Sequence, residues 1–365
     1  MIINRSYLQE RMIALLKGKR QPVPQGKPNV LKKTVHCLWL CLPLKWRSKP
    51  VLRGIRVMLG KQKIVSLSPW AIDFVQYCFE HELNFDTCQY FPAEDEAGIQ
   101  QHVDIRVMSV IGYPPSPSTE AQQQCHAIAQ KIKRGTSICK GGYRLRYEGQ
   151  EYRLPQKAFE INTFGYHYGL DVVPQAAKAA MAGKDFLDVG AYYGDSAIFF
   201  LQYRPRHIFA YEPTSSNHKM LLQTIAMNKV GDKVFAVSKG IGDVAATSTI
   251  AVCGIASSVL DESVVKKSEW ETEAIEITTI DAECSGRSVG LIKMDVEGFE
   301  LFAVKGGLAT IERDKPVLLI SIYHTAKDFF EIPPMLRAVV PEYKFRYVDA
   351  CPQNLIDEKL LVGWV

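Results

Sequence analysis

Short apolar runs alternate with helical patterns through the second half of the chain. Such alternation is typical of an α/β fold with a parallel sheet covered by helices on both faces. The last two runs are close in sequence and joined through Pro352-Gln353-Asn354, so they predict an antiparallel hairpin that closes a mostly parallel seven-stranded sheet. The predicted strands lie at 185–189, 207–211, 233–237, 290–295, 316–322, 343–349 and 359–365.

The chain before this pattern divides into two regions. Residues 1–66 form a basic arm that is broken by prolines, with a short helix predicted around Ser6 to Leu16. Residues 67–142 predict a small, mainly helical region, and residues 143–365 the main domain.

Helix and turn signals occur within and just after the small region. Ser68 and Pro69 are typical of a helix start, and this helix is predicted to reach Glu82. Gly112 to Ser118 predicts a loop, followed by a helix from Thr119 to Gly135. Further predictions are a hairpin, with strands 143–147 and 151–154, and a helix across 174–181.

The first strand of the main pattern runs into a glycine-containing turn, F-L-D-V-G-A-Y-Y-G-D-S at 186–196. We expect a buried strand that stops at Asp188, a turn through Gly190 and Gly194, and a helix from Asp195 or Ser196. The glycines allow positive φ or close backbone approach, and Ser196 can cap the helix. Open α/β sheets bind ligands at this edge.

The spacing of this turn indicates the class of ligand. A dinucleotide site has G-x-G-x-x-G, whereas here a carboxylate, Asp188, precedes the first glycine. A carboxylate disfavours phosphate and favours a cation, so S-adenosylmethionine fits. Glu212, followed by Pro213, ends the second strand, where an acid can bind a ribose diol. The alternative is a plain Rossmann-like turn with two incidental acids.

A second chemical stretch, L-I-K-M-D-V-E-G-F-E at 291–300, connects the fourth strand to a helix. Asp295 should face the ligand crevice, and Glu297 and Glu300 fall in the predicted first helical turn. The two glutamates can serve only helix-start electrostatics. The three carboxylates are also weak candidates for Mg²⁺.

The fifth strand brings His324 to the same edge of the sheet. A histidine there can be the general base for a hydroxyl acceptor, and Asp295 is the other candidate. The alternative for His324 is a structural hydrogen bond between sheet and helix.

Two further segments have a predicted place near the ligand. Tyr166 and Tyr168, which precede the first strand, can cover the methionine end of a cofactor, line the acceptor entrance, or pack against the sheet. Residues 244–280 interrupt the strand–helix pattern with two extra strands, 247–252 and 275–280, where a substrate lid would be useful.

Composition and charge indicate the class of protein, its redox compartment and the kind of partner that it could bind. The 47% apolar and 23% charged residues are ordinary for a globular protein, and nine cysteines without a C-x-x-C pair favour a reducing compartment. Residues 1–66 hold fifteen Lys or Arg and a single acid, Glu10, against a net negative remainder. This asymmetry predicts an anionic partner, or else a solvated tail. Cys37 to Leu44 is too short to span a membrane, but could lie in a headgroup layer.

The motifs together resemble the FkbM family of S-adenosylmethionine-dependent methyltransferases. The similar stretches are the two motifs above together with A-Y-E-P, S-I-Y-H, H-Y-G-L and T-I-D, over about residues 143–350. The resemblance implies a class I methyltransferase fold and methyl transfer, usually to oxygen on glycans or polyketide-type metabolites. The arm, residues 67–142 and the tail after Ala350 do not follow the family pattern.

The residue patterns and the resemblance together give each candidate residue a predicted role. The catalytic candidates are His324 and Asp295. The substrate candidates are Tyr166, Tyr168, Glu297 and Glu300. The cofactor candidates are Asp188, Gly190, Ala191, Gly194, Asp195, Ser196, Glu212, Pro213 and Asp243.

The leading functional hypothesis is a cytoplasmic O-methyltransferase acting on a sugar or glycan hydroxyl, in peripheral contact with the inner membrane face through residues 1–66. A nucleic-acid methyltransferase whose basic arm binds phosphates is the second hypothesis. Its weakness is that the fourth strand ends in D-V-E-G and not in an N-P-P-Y type loop, which stacks a flipped base. The third hypothesis is a non-catalytic scaffold at a membrane.

Overall fold

The computed structural model describes residues 1–18, 69–111, 116–251 and 272–365 of the chain. The predictions for Ser68, for Cys37 to Leu44 and for most of the basic arm lie outside these residues. The chain forms two compact units, Met1–Thr87 with Ile99–Ser116, and Cys88–Gly98 with Pro117–Val365. Membrane contact through the arm and the division into three regions stay predictions.

The smaller unit is mainly helical. The helix expected around Ser6 to Leu16 is confirmed, and so is the helix that begins at Pro69. Arg11 donates a 2.8 Å hydrogen bond from Nε to Asp104 Oδ1 within this unit. Its elements are β1 (Ile2–Ile3), α1 (Arg5–Gly18), α2 (Pro69–Glu80), β2 (Phe85–Asp86) and α3 (Glu96–Ile111), whose first three residues belong to the larger unit.

The larger unit begins with a helix and a three-stranded antiparallel sheet. The helix from Thr119 to Gly135 is confirmed, and Ser118 caps it by accepting a hydrogen bond from Ala121 N. The hairpin is confirmed in the same region. The elements are α4 (Thr119–Gly135), β3 (Thr136–Cys139), β4 (Gly142–Tyr147), β5 (Gln150–Leu154), α5 (Ile161–Phe164) and α6 (Gln175–Met181).

A seven-stranded sheet forms the centre of the larger unit, as the apolar runs predict. Its strands in spatial order are β14 (Lys344–Asp349), β15 (Lys359–Trp364), β13 (Val317–Ser321), β12 (Val289–Met294), β6 (Asp185–Val189), β7 (Ile208–Tyr211) and β8 (Val234–Val237). The neighbours from β13 through β8 are parallel, and β15 is antiparallel to β13 and β14. The α/β class I methyltransferase fold is therefore confirmed.

Helices cover this sheet because its central strands are apolar on both faces. Every residue of β6, β12 and β13 is buried. Strand order reverses between β6 and β12, and ligands of open α/β sheets bind at such a switch point. The remaining helices are α7 (Asp195–Phe200), α8 (Ser215–Asn228), α9 (Ile280–Glu283), α10 (Glu300–Lys305), α11 (Leu308–Asp314) and α12 (Ala326–Val339).

The two extra strands predicted in the interruption are confirmed. β10 (Ala246–Ala251) pairs antiparallel with β11 (Thr272–Thr278), which runs parallel to the short strand β9 (Gly240–Ile241). Residues 252–271 lie outside the described residues, so the substrate lid stays a prediction. Among the helices that are described, none combines the length and apolarity needed to cross a membrane.

The turn after β6 needs glycine at two positions. Gly190 has φ +77°, and a Cβ there would lie 1.9 Å from the carbonyl oxygen of Asp295. Gly194 has φ +80°, and its Cβ would lie 2.5 Å from Leu221 Cδ1. The first glycine therefore permits close packing against the backbone that follows β12, and the sequence could not show this neighbour.

We expect Gly190→Ala to lower the free energy of unfolding by about 3 kcal/mol or more, because a left-handed residue and a backbone clash are combined. Gly183→Ala is the matched control: Gly183 also has a positive φ, +76°, but nothing lies within 4 Å of its Cβ position. The control should lose only about 1 kcal/mol. Urea unfolding of both variants measures the difference, and equal losses would contradict the packing argument.

Candidate active site

Residues 188–196, which comprise the end of β6, the turn after it and the start of α7, are called the donor loop. Its first residue, Asp188, is completely buried. Ser196 Oγ donates a 2.6 Å hydrogen bond to Asp188 Oδ2, and Lys293 Nζ lies 3.2 Å from Oδ1. The positive charge beside Asp188 is thus supplied by the protein. The inference that this carboxylate selects a cationic ligand needs correction, because Lys293 already satisfies its charge.

Lys293 was not among the predicted site residues. Its side chain is 4% exposed, and Nζ donates a 2.7 Å hydrogen bond to the carbonyl oxygen of Gly190. Burial acts to lower the Lys293 pKa, but Asp188, Asp295 and Asp195 together raise it above its usual value. The ammonium therefore stays charged. A lysine in the middle of the apolar run V-G-L-I-K-M is the sequence signal that could have indicated this role.

Ser196 does not cap the helix that follows, contrary to the prediction. α7 begins at Asp195, its N-cap is Gly194, and no side chain caps it. Ser196 instead donates to Asp188, as above. Asp195 Oδ2 accepts a 2.8 Å hydrogen bond from Thr163 Oγ1, and burial raises the Asp195 pKa to about 7.

Glu212 directly follows β7 beside the donor loop and is 6% exposed. Its Oε1 accepts hydrogen bonds from Thr214 N at 3.0 Å, from the Thr214 hydroxyl at 2.5 Å and from Asn217 Nδ2 at 3.5 Å. Among the described residues, Oε2 accepts one hydrogen bond, from Tyr192 N at 3.1 Å. Burial raises the Glu212 pKa.

The other predicted cofactor residues are placed differently. Ala191 is buried in the donor loop, and its N donates to Tyr211 O at 2.9 Å. Pro213 is half-buried after Glu212, whereas Asp243 is exposed in the segment after β9. No direct role follows for Asp243 from this position.

Residues Asp295, Glu297, Glu300 and His324, at the ends of β12 and β13, are called the acidic rim. Asp295 Oδ2 accepts a 2.7 Å hydrogen bond from Tyr168 OH, and Oδ1 accepts a 3.3 Å bond from Tyr323 OH. Burial acts to raise the Asp295 pKa, but Lys293, His324 and Tyr168 hold it below its usual value. Asp295 therefore stays ionised, and 22% of its side chain is exposed.

Glu300 is the fully buried member of the acidic rim. Its oxygens accept hydrogen bonds from Val296 N at 2.8 Å and from Gly298 N at 2.9 Å. His324 Nδ1 lies 2.8 Å from Glu300 Oε1. Glu300 thus fixes the turn and the imidazole, and its burial argues against the predicted substrate contact.

His324 is surrounded by carboxylates. Its Nε2 lies 3.5 Å from Glu297 Oε2 and 3.7 Å from Asp295 Oδ1, and the side chain is 1% exposed. Burial acts to lower the His324 pKa, but Glu300, Asp295 and Glu297 raise it to about 10. An imidazole that is protonated at neutral pH cannot accept a proton. The prediction of His324 as general base is therefore disfavoured for a physical reason.

Glu297 precedes α10 and does not lie in its first turn, contrary to the prediction. It has φ +54°, in the left-handed region that L-residues rarely adopt. Its side chain is 27% exposed, and burial raises its pKa to about 7 against the opposing effect of His324. Glu297 is therefore a carboxylate that changes protonation near neutral pH.

The two predicted aromatic residues separate. Tyr168 joins the acidic rim through Asp295, while Tyr166 OH lies 3.5 Å from Cys125 Sγ. Glu358, which was not predicted, accepts a 2.6 Å hydrogen bond from Asn162, and burial raises its pKa to about 8.

The acidic rim does not fit Mg²⁺. Asp295, Glu300 and His324 each offer an atom within 4.8 Å of the others. However, both oxygens of Glu300 already accept hydrogen bonds, and a protonated imidazole repels a cation. Mg²⁺ also prefers oxygen ligands.

The donor set does fit S-adenosylmethionine. Glu212 has an acceptor oxygen, Oε2, suited to ribose hydroxyls at the end of β7. Asp295 carries a partly exposed negative charge at the end of β12, suited to the ammonium or sulfonium of the cofactor. When bound, the cofactor supplies a methyl group that the sulfonium has already activated.

Comparison with known proteins gives one match to a family model, described as the methyltransferase FkbM domain, over residues 188–347. No curated protein sequence matches this chain significantly.

Among solved structures, methyltransferase FkbM from Methylobacillus flagellatus KT is 14% identical, with 76% of this chain and 72% of that chain covered and a TM-score of 0.42. Aeropyrum pernix fibrillarin, in complex with S-adenosyl-L-methionine, is 15% identical, with 63% and 84% covered and a TM-score of 0.35. A Pyrococcus abyssi tRNA (uracil-54, C5)-methyltransferase is 13% identical, with 61% and 44% covered and a TM-score of 0.34.

The matched range begins at the first residue of the donor loop and includes the whole acidic rim. The resemblance seen in the motifs is therefore confirmed over this range. Residues 188–347 of this chain are an FkbM methyltransferase domain, the catalytic domain of an S-adenosylmethionine-dependent enzyme.

Proposed function

We propose that this methyltransferase acts on a hydroxyl group of a sugar or glycan. The observation that carries the proposal is the pair of partly exposed carboxylates, Asp295 and Glu297, at the end of β12. Carboxylates accept hydrogen bonds from hydroxyls, and a sugar presents several hydroxyls together. The hydroxyls of Tyr168 and Tyr323, both bonded to Asp295, add polar groups at the same place.

The chemical work of the residues is to position the acceptor oxygen and to remove its proton. Positioning at about 3 Å from the methyl carbon makes the reaction effectively unimolecular. Glu297 accepts the proton, because a base works best when its pKa is near the operating pH, and burial places the Glu297 pKa at about 7. Asp295 keeps its charge beside the cationic cofactor, and because a carboxylate has two acceptor oxygens it can also accept a hydrogen bond from the sugar.

His324 supports this arrangement without exchanging a proton. Its protonated ring lies between Asp295 and Glu297 and lowers the pKa of both. Glu300, on the other side of the ring, holds it through Nδ1. The rim thus combines a fixed buried pair with two carboxylates that face the crevice.

A nucleic-acid acceptor is the second candidate, favoured by the basic residues of the arm. Phosphates need positive charge, and nucleic-acid binding weakens steeply with salt because counterions are released. The acidic rim opposes such an acceptor, since Asp295 and Glu297 would repel phosphates close to the reacting atoms.

A labelled-methyl transfer assay tests the proposal. The full chain is incubated with S-adenosylmethionine carrying a labelled methyl group, with a neutral glycan panel in one series and total RNA in the other. The proposal expects the label on glycans as a mass increase of one methyl. Label on RNA bases, with binding that falls steeply as salt increases, would support the nucleic-acid acceptor instead.

We expect Glu212→Gln to weaken cofactor binding by about 10- to 100-fold, because a charged acceptor of ribose hydrogen bonds becomes a neutral amide. Calorimetry with S-adenosylmethionine measures the affinity. The control is Glu273→Gln: Glu273 accepts from Ser215 N at the start of α8, but is only half-buried. Unchanged affinity in Glu212→Gln would contradict the assignment of Glu212.

We expect Glu297→Gln to lower kcat by about 10²- to 10⁴-fold while cofactor affinity is kept, because the amide cannot accept the proton. In the unaltered protein, kcat should rise with pH through about 7 as Glu297 ionises. This rise should be absent from the residual activity of Glu297→Gln. A pH–rate profile of both proteins is the measurement.

His324→Gln distinguishes the two candidate bases. Loss of the imidazolium removes a charge that lowers the Glu297 pKa, so the rise in kcat should move to higher pH with activity retained there. Loss of turnover at every pH, with cofactor affinity intact, would instead restore His324 as the base.

A further inference from the structure

We propose that Lys293 is the positioning residue of the donor loop: its buried ammonium neutralises Asp188 and holds the Gly190 carbonyl, which keeps the loop in its cofactor-binding conformation. The proposal rests on the use of S-adenosylmethionine but is independent of the acceptor. The proposal also implies that the acidic rim, and not Asp188, recognises the positive charge of the cofactor, because Asp188 is already paired with Lys293.

The arrangement follows from the pairing of two central strands. Lys293 in β12 is the register partner of Asp188 in β6, so the two side chains start from neighbouring backbone positions. Lys293 Nζ lies 3.2 Å from Asp188 Oδ1 and donates to Gly190 O at 2.7 Å. One ammonium group thus joins the strand to the loop that leaves it.

The backbone of Gly190 is held by two hydrogen bonds, one to its N–H group and one to its carbonyl oxygen. Its N donates to Tyr211 O of β7 at 3.0 Å, and its carbonyl accepts from Lys293 of β12. Gly190 has a φ of +77°. As a glycine it also has no side chain that could hold the turn in place. The lysine therefore acts together with Tyr211 O and Glu212, which accept from Ala191 N and Tyr192 N, to fix the direction of the following N–H groups of the loop.

The charged and titratable groups that face Lys293 come from four elements. They are Asp188 of β6, Asp195 of α7, Asp295 after β12, and Tyr168, whose ring centre lies 5.3 Å from Nζ. Removing Lys293 would leave these three acids, Asp188 among them, without the buried cation that they share. Lys293 lowers the pKa of Asp195 and of Asp295, so its loss raises the pKa of both acids.

A second buried lysine provides a matched control. Lys359 of β15 is 2% exposed, and its Nζ donates to Asp349 Oδ1 at 2.8 Å and to the carbonyl oxygen of Asn354 at 2.6 Å. It therefore has one carboxylate partner and one backbone partner, as Lys293 does. Replacing it carries a comparable folding cost but leaves the donor loop untouched.

The test measures the S-adenosylmethionine affinity of the full chain by calorimetry over about three pH units, from about pH 5 to about pH 8. We expect Lys293→Met to bind weakly at pH 8 and to regain affinity as pH falls, by up to about tenfold per pH unit, because protonation of the acids that have lost the ammonium, Asp195 and Asp295, removes unpaired negative charge. Asp195 and Glu297 have pKa values of about 7 in the unaltered chain as well, so the added pH dependence of each variant is read relative to that chain. Lys359→Met should follow the unaltered chain.

The double variant Asp188→Asn with Lys293→Met removes both charges and serves if the single variant does not fold. Its affinity should stay below that of the unaltered chain, because Gly190 O still lacks its donor, but the added pH dependence should be largely gone, because removal of the Asp188 charge offsets the loss of Lys293 at Asp195. Unaltered affinity in either Lys293 variant, or an equal loss in Lys359→Met, would overturn the proposal. No binding by the unaltered chain would instead refute the cofactor assignment itself.

Discussion

A buried ion pair between adjacent strands is the constraint on which this site depends. A charge removed from water is tolerated in a protein interior only where a partner and hydrogen bonds compensate for it. Lys293 and Asp188 meet this condition through Ser196 and the Gly190 carbonyl. The same contacts that make the two charges tolerable also determine the path of the donor loop, so stability and ligand geometry have one physical origin.

The acidic rim is stabilised in the same way, by a buried pair of opposite charges, Glu300 and His324. Glu300 is buried and satisfied by two backbone N–H groups and an imidazole, and it converts His324 into a buried cation. The Nε2 atom of this protonated imidazole lies within 3.7 Å of Asp295 and Glu297, whose side chains are 22% and 27% exposed. The site therefore has an inner layer of paired charges, which position the loop and the turn, and an outer layer of carboxylates that can meet ligands.

Helices and strands could be predicted from the sequence where one short segment contains the complete residue pattern of the element. The runs at 185–189, 290–295 and 316–322 became β6, β12 and β13 with ends shifted by no more than one residue. A short run that is mostly apolar is most stable in a sheet covered on both faces, so its local pattern suffices. The donor loop was predictable for the same reason, since its glycines and its strand lie within one short stretch.

The chemical state of the side chains did not follow in this way. From the sequence alone came the fold class, the strands, the two motifs and the positions of Asp188, Glu212, Asp295 and His324 at one edge of the sheet. Tertiary structure decided that Asp188 is paired with a lysine 105 positions later in the chain, that His324 is protonated and not basic, and that Glu297 titrates near neutral pH. The reason is that a pKa and an ion pair depend on burial and on partners from distant segments, which approach one another only when the strands assemble.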